Sequence, residues 1–134
     1  MTKQSESWLT LVKTVANVEV ALGMMLQDQH GLGLTEYRAL AALAGSSKSE
    51  LRMQELASHL QLNQSSISRM VERLERSGLT MRDVCPDDKR GVYAVLTEQG
   101  RARLVKAQPD YHTALAQCLA ALDVEAAWLV NSLG

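Results

Sequence analysis

Residues 52–79 read RMQELASHLQLNQSSISRMVERLERSGL, and the spacing of their apolar positions decides the fold. Met53, Leu56, Ala57 and Leu60 recur at helical intervals and mark one short helix. Asn63 offers a side-chain cap for a second helix, whose apolar stripe is Ile67, Met70, Val71 and Leu74, and Gly78 closes it. Only the turn Gln61-Leu62-Asn63 lies between the two, so the run predicts a helix-turn-helix.

Downstream, residues 79–85 and 92–96 carry β-branched and aromatic side chains. They flank the polar tip Pro86-Asp87-Asp88-Lys89-Arg90-Gly91, which predicts a β-hairpin with a charged end. A helix-turn-helix followed at once by a hairpin is a winged helix. Thr97 can cap a long helix through Arg101, Leu104 and Val105, which Pro109 is expected to kink or interrupt. Asp123 caps a last short helix with Val124, Ala127, Trp128 and Val130.

Upstream, a first helix is expected over about Ser7 to Gln27, ended by Gly31 and Gly33. Thr35 is placed to cap a helix over Glu36 to Ala44, and residues 45–49 form a loop by composition. The first helix carries Trp8, Leu11, Val12, Val15, Leu22 and Met25 near helical spacing, and Ala16, Val18, Val20, Ala21, Met24 and Leu26 widen that stripe almost to a full circumference. A helix apolar on several faces needs several packing partners, and in so short a chain the missing one is expected to be a second subunit.

The chain has 134 residues, the size of one domain, with 46% hydrophobic and 22% charged residues, which excludes a disordered protein. Phe is absent and aromatics total 4%, so Leu, Ala, Val and Met must build the core, which disfavours all-β folds. The expected class is mainly α with a small β-hairpin wing, an α+β arrangement. Cys85 and Cys118 are too few for a disulfide framework, which fits a reducing cytoplasm. The N-terminus lacks a secretory signal pattern, and no uninterrupted apolar run approaches the ~18 residues of a membrane span. A cytoplasmic protein with no membrane partner is expected.

Net charge is −1, but unevenly spread. Between Gln64 and Lys106 nine basic residues face six acidic ones, whereas residues 107–134 hold three acidic residues and no Lys or Arg. That asymmetry suggests a basic working segment on a neutral or acidic scaffold. Around the apolar stripe of the second helix lie Gln64, Ser65, Ser66, Ser68, Arg69 and Arg73. Arg can take guanine O6 and N7 bidentately, Gln can pair with adenine, and Ser can bond a base or a phosphate. The alternative is a solvated helix face, of the kind that Glu72, Glu75 and Arg76 would make alone.

The segment from Leu56 to Gly100 resembles the winged-helix core of the MarR family of bacterial transcriptional regulators. The matching residues are Glu55-Leu56-Ala57, Ser68-Arg69, Leu74-Glu75, Gly78-Leu79, Arg82, Asp88-Lys89-Arg90, Leu96-Thr97 and Gly100, in order and without gaps from Arg82 onward. Gln61 stands where the family often has Gly, and Arg52 where Thr or Ser is commoner as a helix cap. The resemblance implies a homodimer. Residues 1–34 and 107–134 would form the dimerisation helices and residues 35–106 the DNA-binding lobe. It implies a sequence-specific double-stranded-DNA-binding regulator, expected to be a ligand-responsive repressor on a pseudo-palindromic operator. Arg90 would enter the minor groove, Asp88 would orient the hairpin, and Lys89 would meet phosphate. The rival readings are a winged helix used for protein contact and a thiol-based redox-sensing regulator using Cys85.

Family members typically sense small phenolic or anionic molecules in a crevice between the dimer helices and the DNA-binding lobe. The wall residues this implies are Trp8, Leu11, Val12, Tyr37, Tyr111 and His112, with Arg38 and Lys13 the basic residues at hand; core packing is the alternative for the apolar ones. Some relatives respond to oxidants through a cysteine. Cys85 sits near Arg82 and Lys89, which would lower its pKa, and near Asp83, Asp87 and Asp88, which would oppose that; Cys118 is expected in the core. His30, His59 and His112 lack metal-ligand spacing, and no nucleophile elbow, P-loop or dinucleotide fingerprint is present. Neither metal nor cofactor is expected, and no enzymatic activity.

Overall fold

The structure is a computed structural model and describes residues 2–84 and 91–133. Among the described residues six α-helices and three short strands follow in order: α1 Lys3–His30, α2 Leu34–Ala44, β1 Glu50–Arg52, α3 Met53–Leu60, α4 Gln64–Arg76, β2 Thr80–Val84, β3 Val92–Leu96, α5 Glu98–Ala120 and α6 Val124–Leu133. The helix-turn-helix and the hairpin both form where the apolar spacing places them, and the class is α+β as expected.

Local capping chemistry sets most boundaries. The Asn63 side chain accepts from the Ser66 N–H at 2.8 Å, the Thr97 hydroxyl from Gly100 N–H at 2.9 Å, and the Asp123 carboxylate from Ala126 N–H at 2.8 Å. At α2 the expectation fails: the N-cap is Gly33, not Thr35, and the Glu36 carboxylate reaches back to accept from the Gly33 N–H at 2.7 Å. A carboxylate at the third helical position can satisfy the cap N–H from within the helix, so no hydroxyl is needed before it. Arg52 is treated likewise at α3, where Glu55 accepts from its backbone N–H at 3.0 Å.

Two further expectations are corrected. Pro109 does not interrupt α5, which stays helical from Glu98 to Ala120. The carbonyl that Pro109 releases belongs to Val105, an exposed residue, so water can hydrate it. Residues 45–49 are not simply a loop. A 3₁₀ turn over Ser47–Ser49, with Lys48 and Ser49 at positive φ, feeds β1. That strand pairs antiparallel with β3 (Leu51 opposite Ala94), while β3 pairs on its other side with β2 (Arg82 opposite Ala94). The hairpin is thus part of a three-stranded sheet of order β1-β3-β2.

The core joins Leu26, Leu40 and Leu43 of α1 and α2 to Leu56, Ile67, Met70, Val71 and Leu74 of the helix-turn-helix, with Ala94, Leu104 and Ala107 closing it. Within α1 the stripe Trp8, Val12, Val15, Glu19, Leu22, Leu26, His30 repeats every three or four residues, so its members share one face. From Leu22 onward that face is buried in the chain's own core; before it, Trp8, Val12 and Val15 stay exposed. By length and composition α1 is also able to cross a membrane, with mean hydropathy 1.5 over eighteen residues. Averaging tolerates the charges that break an uninterrupted apolar run. One of them, Glu19, is paired with Arg38 of α2 at 2.8 Å.

Candidate nucleic-acid interface

Ile67, Met70, Val71 and Leu74 are each at most 1% exposed, so α4 is held firmly on its inner face. Burial of each such side chain contributes roughly 1.5–3 kcal/mol. The turn before it works without glycine. Gln61 adopts the left-handed conformation (φ 55°, ψ 44°), and its side-chain amide donates to the Ser58 carbonyl at 3.1 Å. Left-handed backbone costs a non-glycine residue about 1–2 kcal/mol, which the amide bond partly offsets.

The outer face of α4 presents Gln64, Ser65, Arg69, Glu72, Arg73 and Arg76 to solvent, with Ser66 and Ser68 half-buried beside them. Arg69 and Arg73 make no salt bridge among the described residues. Arg69 thus stands in the N-terminal half of the helix, where the dipole favours anions, while Arg73 lies in its last turn.

The sheet is locked to this helix by polar contacts. Arg82 of β2 forms an ion pair with Glu75 of α4, its Nε 2.8 Å from Oε1, and its Nη2 lies 3.9 Å from Glu72. The Thr97 hydroxyl donates to the Gly78 carbonyl at 2.7 Å while capping α5. Between β1, α3, α4 and β2 lies a groove of about 590 Å³ lined by Arg52, Met53, Gln54, Gln64, Ser68, Arg82 and Val92. Arg52 donates from Nε to the Tyr93 hydroxyl at 2.9 Å, and its guanidinium lies 5.6 Å from the centroid of that ring. Sequence reading noted Arg52 only as an unusual cap and passed over Gln54 and Tyr93. The pairing of β1 with β3 is what brings Arg52 opposite Tyr93. Asp88, Lys89 and Arg90, and with them Cys85, lie outside the described residues.

The expected effector residues divide between two places. Tyr37, Arg38, Tyr111 and His112 meet in a crevice of about 400 Å³ between α2, α3 and α5, with His59 and Gln108. The Tyr37 and Tyr111 rings stack at 4.3 Å, and Tyr111 meets His112 edge-on at 5.6 Å. Burial, and then the neighbouring Tyr111, push the Tyr37 hydroxyl above its ordinary pKa. Trp8, Leu11 and Val12 are not in that crevice; they line a separate apolar groove along α1 with Val15, Ala16 and Glu19.

Other sequence candidates fall outside both places. Cys118 is a half-buried free thiol rather than a core residue, because the last turns of α5 carry little of the chain's own packing. His30 is buried at the end of α1, where its Nε2 lies 2.7 Å from Asp110 Oδ2, and Arg103 donates twice to its backbone carbonyl. Among the described residues no three His, Cys, Asp or Glu converge on a metal-sized site.

Comparison with known proteins bears on this arrangement. A sequence profile of the MarR family matches residues 32–92. The HTH-type transcriptional regulator YkoM of Bacillus subtilis is 32% identical over 94 residues, which span 70% of this chain and 60% of that protein. The crystal structure of Sco3205, a MarR family transcriptional regulator from Streptomyces coelicolor in complex with DNA, superposes with a TM-score of 0.86 at 31% identity, covering 99% of this chain and 84% of that one. AbsC, a MarR family regulator from the same organism, superposes at 0.85 with 27% identity, over 99% and 90% of the two chains. With the helix-turn-helix, the three-stranded sheet and the flanking helices all shared along nearly the whole chain, this protein belongs to the MarR family of transcriptional regulators.

Proposed function

We propose that this chain is a sequence-specific, double-stranded-DNA-binding transcriptional regulator, not an enzyme, that acts in the cytoplasm as a homodimer and represses from a pseudo-palindromic operator. The observation that carries the reading is the outer face of α4, with Arg69 and Arg73 unpaired among the described residues beside Gln64 and Ser65. Laid in a major groove, Arg69 and Gln64 read base edges, while Ser65, Ser66, Ser68 and Arg73 meet bases or phosphates. Lys89 and Arg90, with Asp88 orienting them, serve the adjacent minor groove and backbone.

Dimerisation is supported by the split character of α1. Its Trp8–Val15 face continues a stripe that the chain buries further along, so a second copy completes the burial. Residues 1–34 and 107–134 form this scaffold, and residues 35–106 the lobe it carries. Half-sites then lie about one helical turn, or a multiple of it, apart. The crevice at Tyr37, Arg38 and Tyr111 takes a small phenolic or anionic effector, which acts only as far as it prefers a lobe spacing that cannot span both half-sites.

Selection of binding sites from a random duplex pool at near-physiological salt tests the reading. A two-fold symmetric motif, weakened by Arg69→Ala, is the expected result. Recovery of no motif from folded, dimeric protein would move the assignment to a winged helix that contacts protein.

A further inference from the structure

We infer that the Arg38–Glu19 ion pair couples the crevice to dimerisation, so that an anion in the crevice and a second copy on α1 oppose one another. This rests on the homodimer and effector readings above and adds a regulatory link between them. The crevice and the α1 groove share no lining residue, yet one pair joins them. Arg38 is a wall residue of the crevice and Glu19 a wall residue of the groove, and Nη1 of the first donates to Oε2 of the second at 2.8 Å. Among the described residues Glu19 is the one charged residue lining the apolar groove, and the crevice wall holds no carboxylate of its own. Glu19 also marks the point on the α1 stripe where the exposed half, Trp8 to Val15, meets the half buried from Leu22 onward.

In the single chain the Arg38 and Glu19 side chains are 43% and 40% exposed, and an ion pair so open to water contributes little. A second copy laid over the groove removes that water, and a carboxylate in a drier site depends on its counter-ion. Arg38 is then what makes Glu19 tolerable at the interface. An anion in the crevice competes for the same guanidinium. One positive charge then faces two negative ones, and the carboxylate on the dimer side is left under-compensated. The coupling is reciprocal, so the dimer weakens anion binding by the factor through which the anion weakens the dimer. Loss of dimer separates the two recognition helices, which acts on DNA binding independently of lobe spacing.

The test is sedimentation equilibrium of the full chain as wild type, Arg38→Gln, Glu19→Gln and the double variant, each alone, with benzoate, and with benzyl alcohol as the uncharged control. Arg38→Gln is expected to raise the dimer dissociation constant about fivefold or more. Adding Glu19→Gln is expected to restore it, which general damage from the loss of Arg38 would not allow. Benzoate is expected to raise the wild-type constant by a similar factor and to leave that of Glu19→Gln unchanged, while benzyl alcohol changes neither. If Arg38→Gln fails to fold, the benzoate response of wild type against Glu19→Gln decides. An Arg38→Gln dimer as tight as wild type, a loss that Glu19→Gln does not rescue, or a wild-type dimer indifferent to benzoate would overturn the inference while the dimer itself stood. Calorimetry separates the last case: no heat from benzoate means that the effector reading fails as well. If the wild-type chain sediments as a monomer throughout, the homodimer reading fails, and this inference with it.

Discussion

A Cβ placed on Gly100 would stand 2.0 Å from the carbonyl oxygen of Leu79 and 2.8 Å from Leu96 Cδ1. The first turn of α5 therefore lies directly on the backbone that leads from α4 into β2. Thr97, three residues earlier, bonds the Gly78 carbonyl and the Gly100 N–H, so helix, turn and sheet base share one knot.

Gly100→Ala is expected to cost about 3 kcal/mol or more, since the obstruction is backbone and cannot rotate away. Gly23→Ala is the contrast: it lies inside α1 with open space around it, and should be neutral or stabilise by up to about 1 kcal/mol. Thermal melts of both variants read the difference. A Gly100→Ala protein melting with the wild type would contradict the packing described.

Tyr37 makes stability depend on alkaline pH. Its folded pKa lies above the ordinary tyrosine value of 10.0, chiefly through burial and then through Tyr111. The unfolded chain gives up this proton first, so the contribution is fully present below that value and is lost as pH rises through it toward the folded pKa. Denaturant unfolding at successive alkaline pH values should show wild type losing stability faster than Tyr37→Phe, which keeps the stack on Tyr111. Parallel curves for the two would exclude Tyr37 as the source.

The exposed half of the α1 stripe should hold the dimer. Val12→Glu places a charge in the apolar groove shared with Trp8 and Val15, and burying an unpaired carboxylate there is costly. Sedimentation should show a dimer for wild type and a loss of dimer mass for Val12→Glu at the same micromolar concentration. An undiminished dimer would place the interface elsewhere.

Arg69→Ala should relax base preference at one position of each half-site and cost about 1–3 kcal/mol on the selected duplex. Random duplex should be affected much less. Equal losses on both would leave Arg69 a phosphate contact rather than a base reader.

Much of this architecture is legible in residues a few positions apart. The α3-turn-α4 unit follows from apolar spacing, and the caps at Asn63, Thr97 and Asp123 from side chains that bond an N–H three residues on. The outer face of α4 is legible for the same reason, because burying one stripe of a helix dictates what the opposite side shows. The MarR resemblance is likewise carried by local, ordered motifs between Glu55 and Gly100.

What only the tertiary structure decided involves partners distant along the chain. Three residues of β1 are too few for a periodic signal, and they become a strand because β3, more than forty positions later, offers an edge to pair with. That pairing brings Arg52 to Tyr93 and creates the groove beside α4. The His30–Asp110 contact closes across 80 residues, and the Tyr37–Tyr111 stack likewise joins α2 to α5. Trp8 and Val12 share helical spacing with Leu22 and Leu26, so no local pattern separates the half of the stripe that the chain buries from the half it leaves for a partner. Spacing dictates which side chains share a face; only packing decides what that face meets.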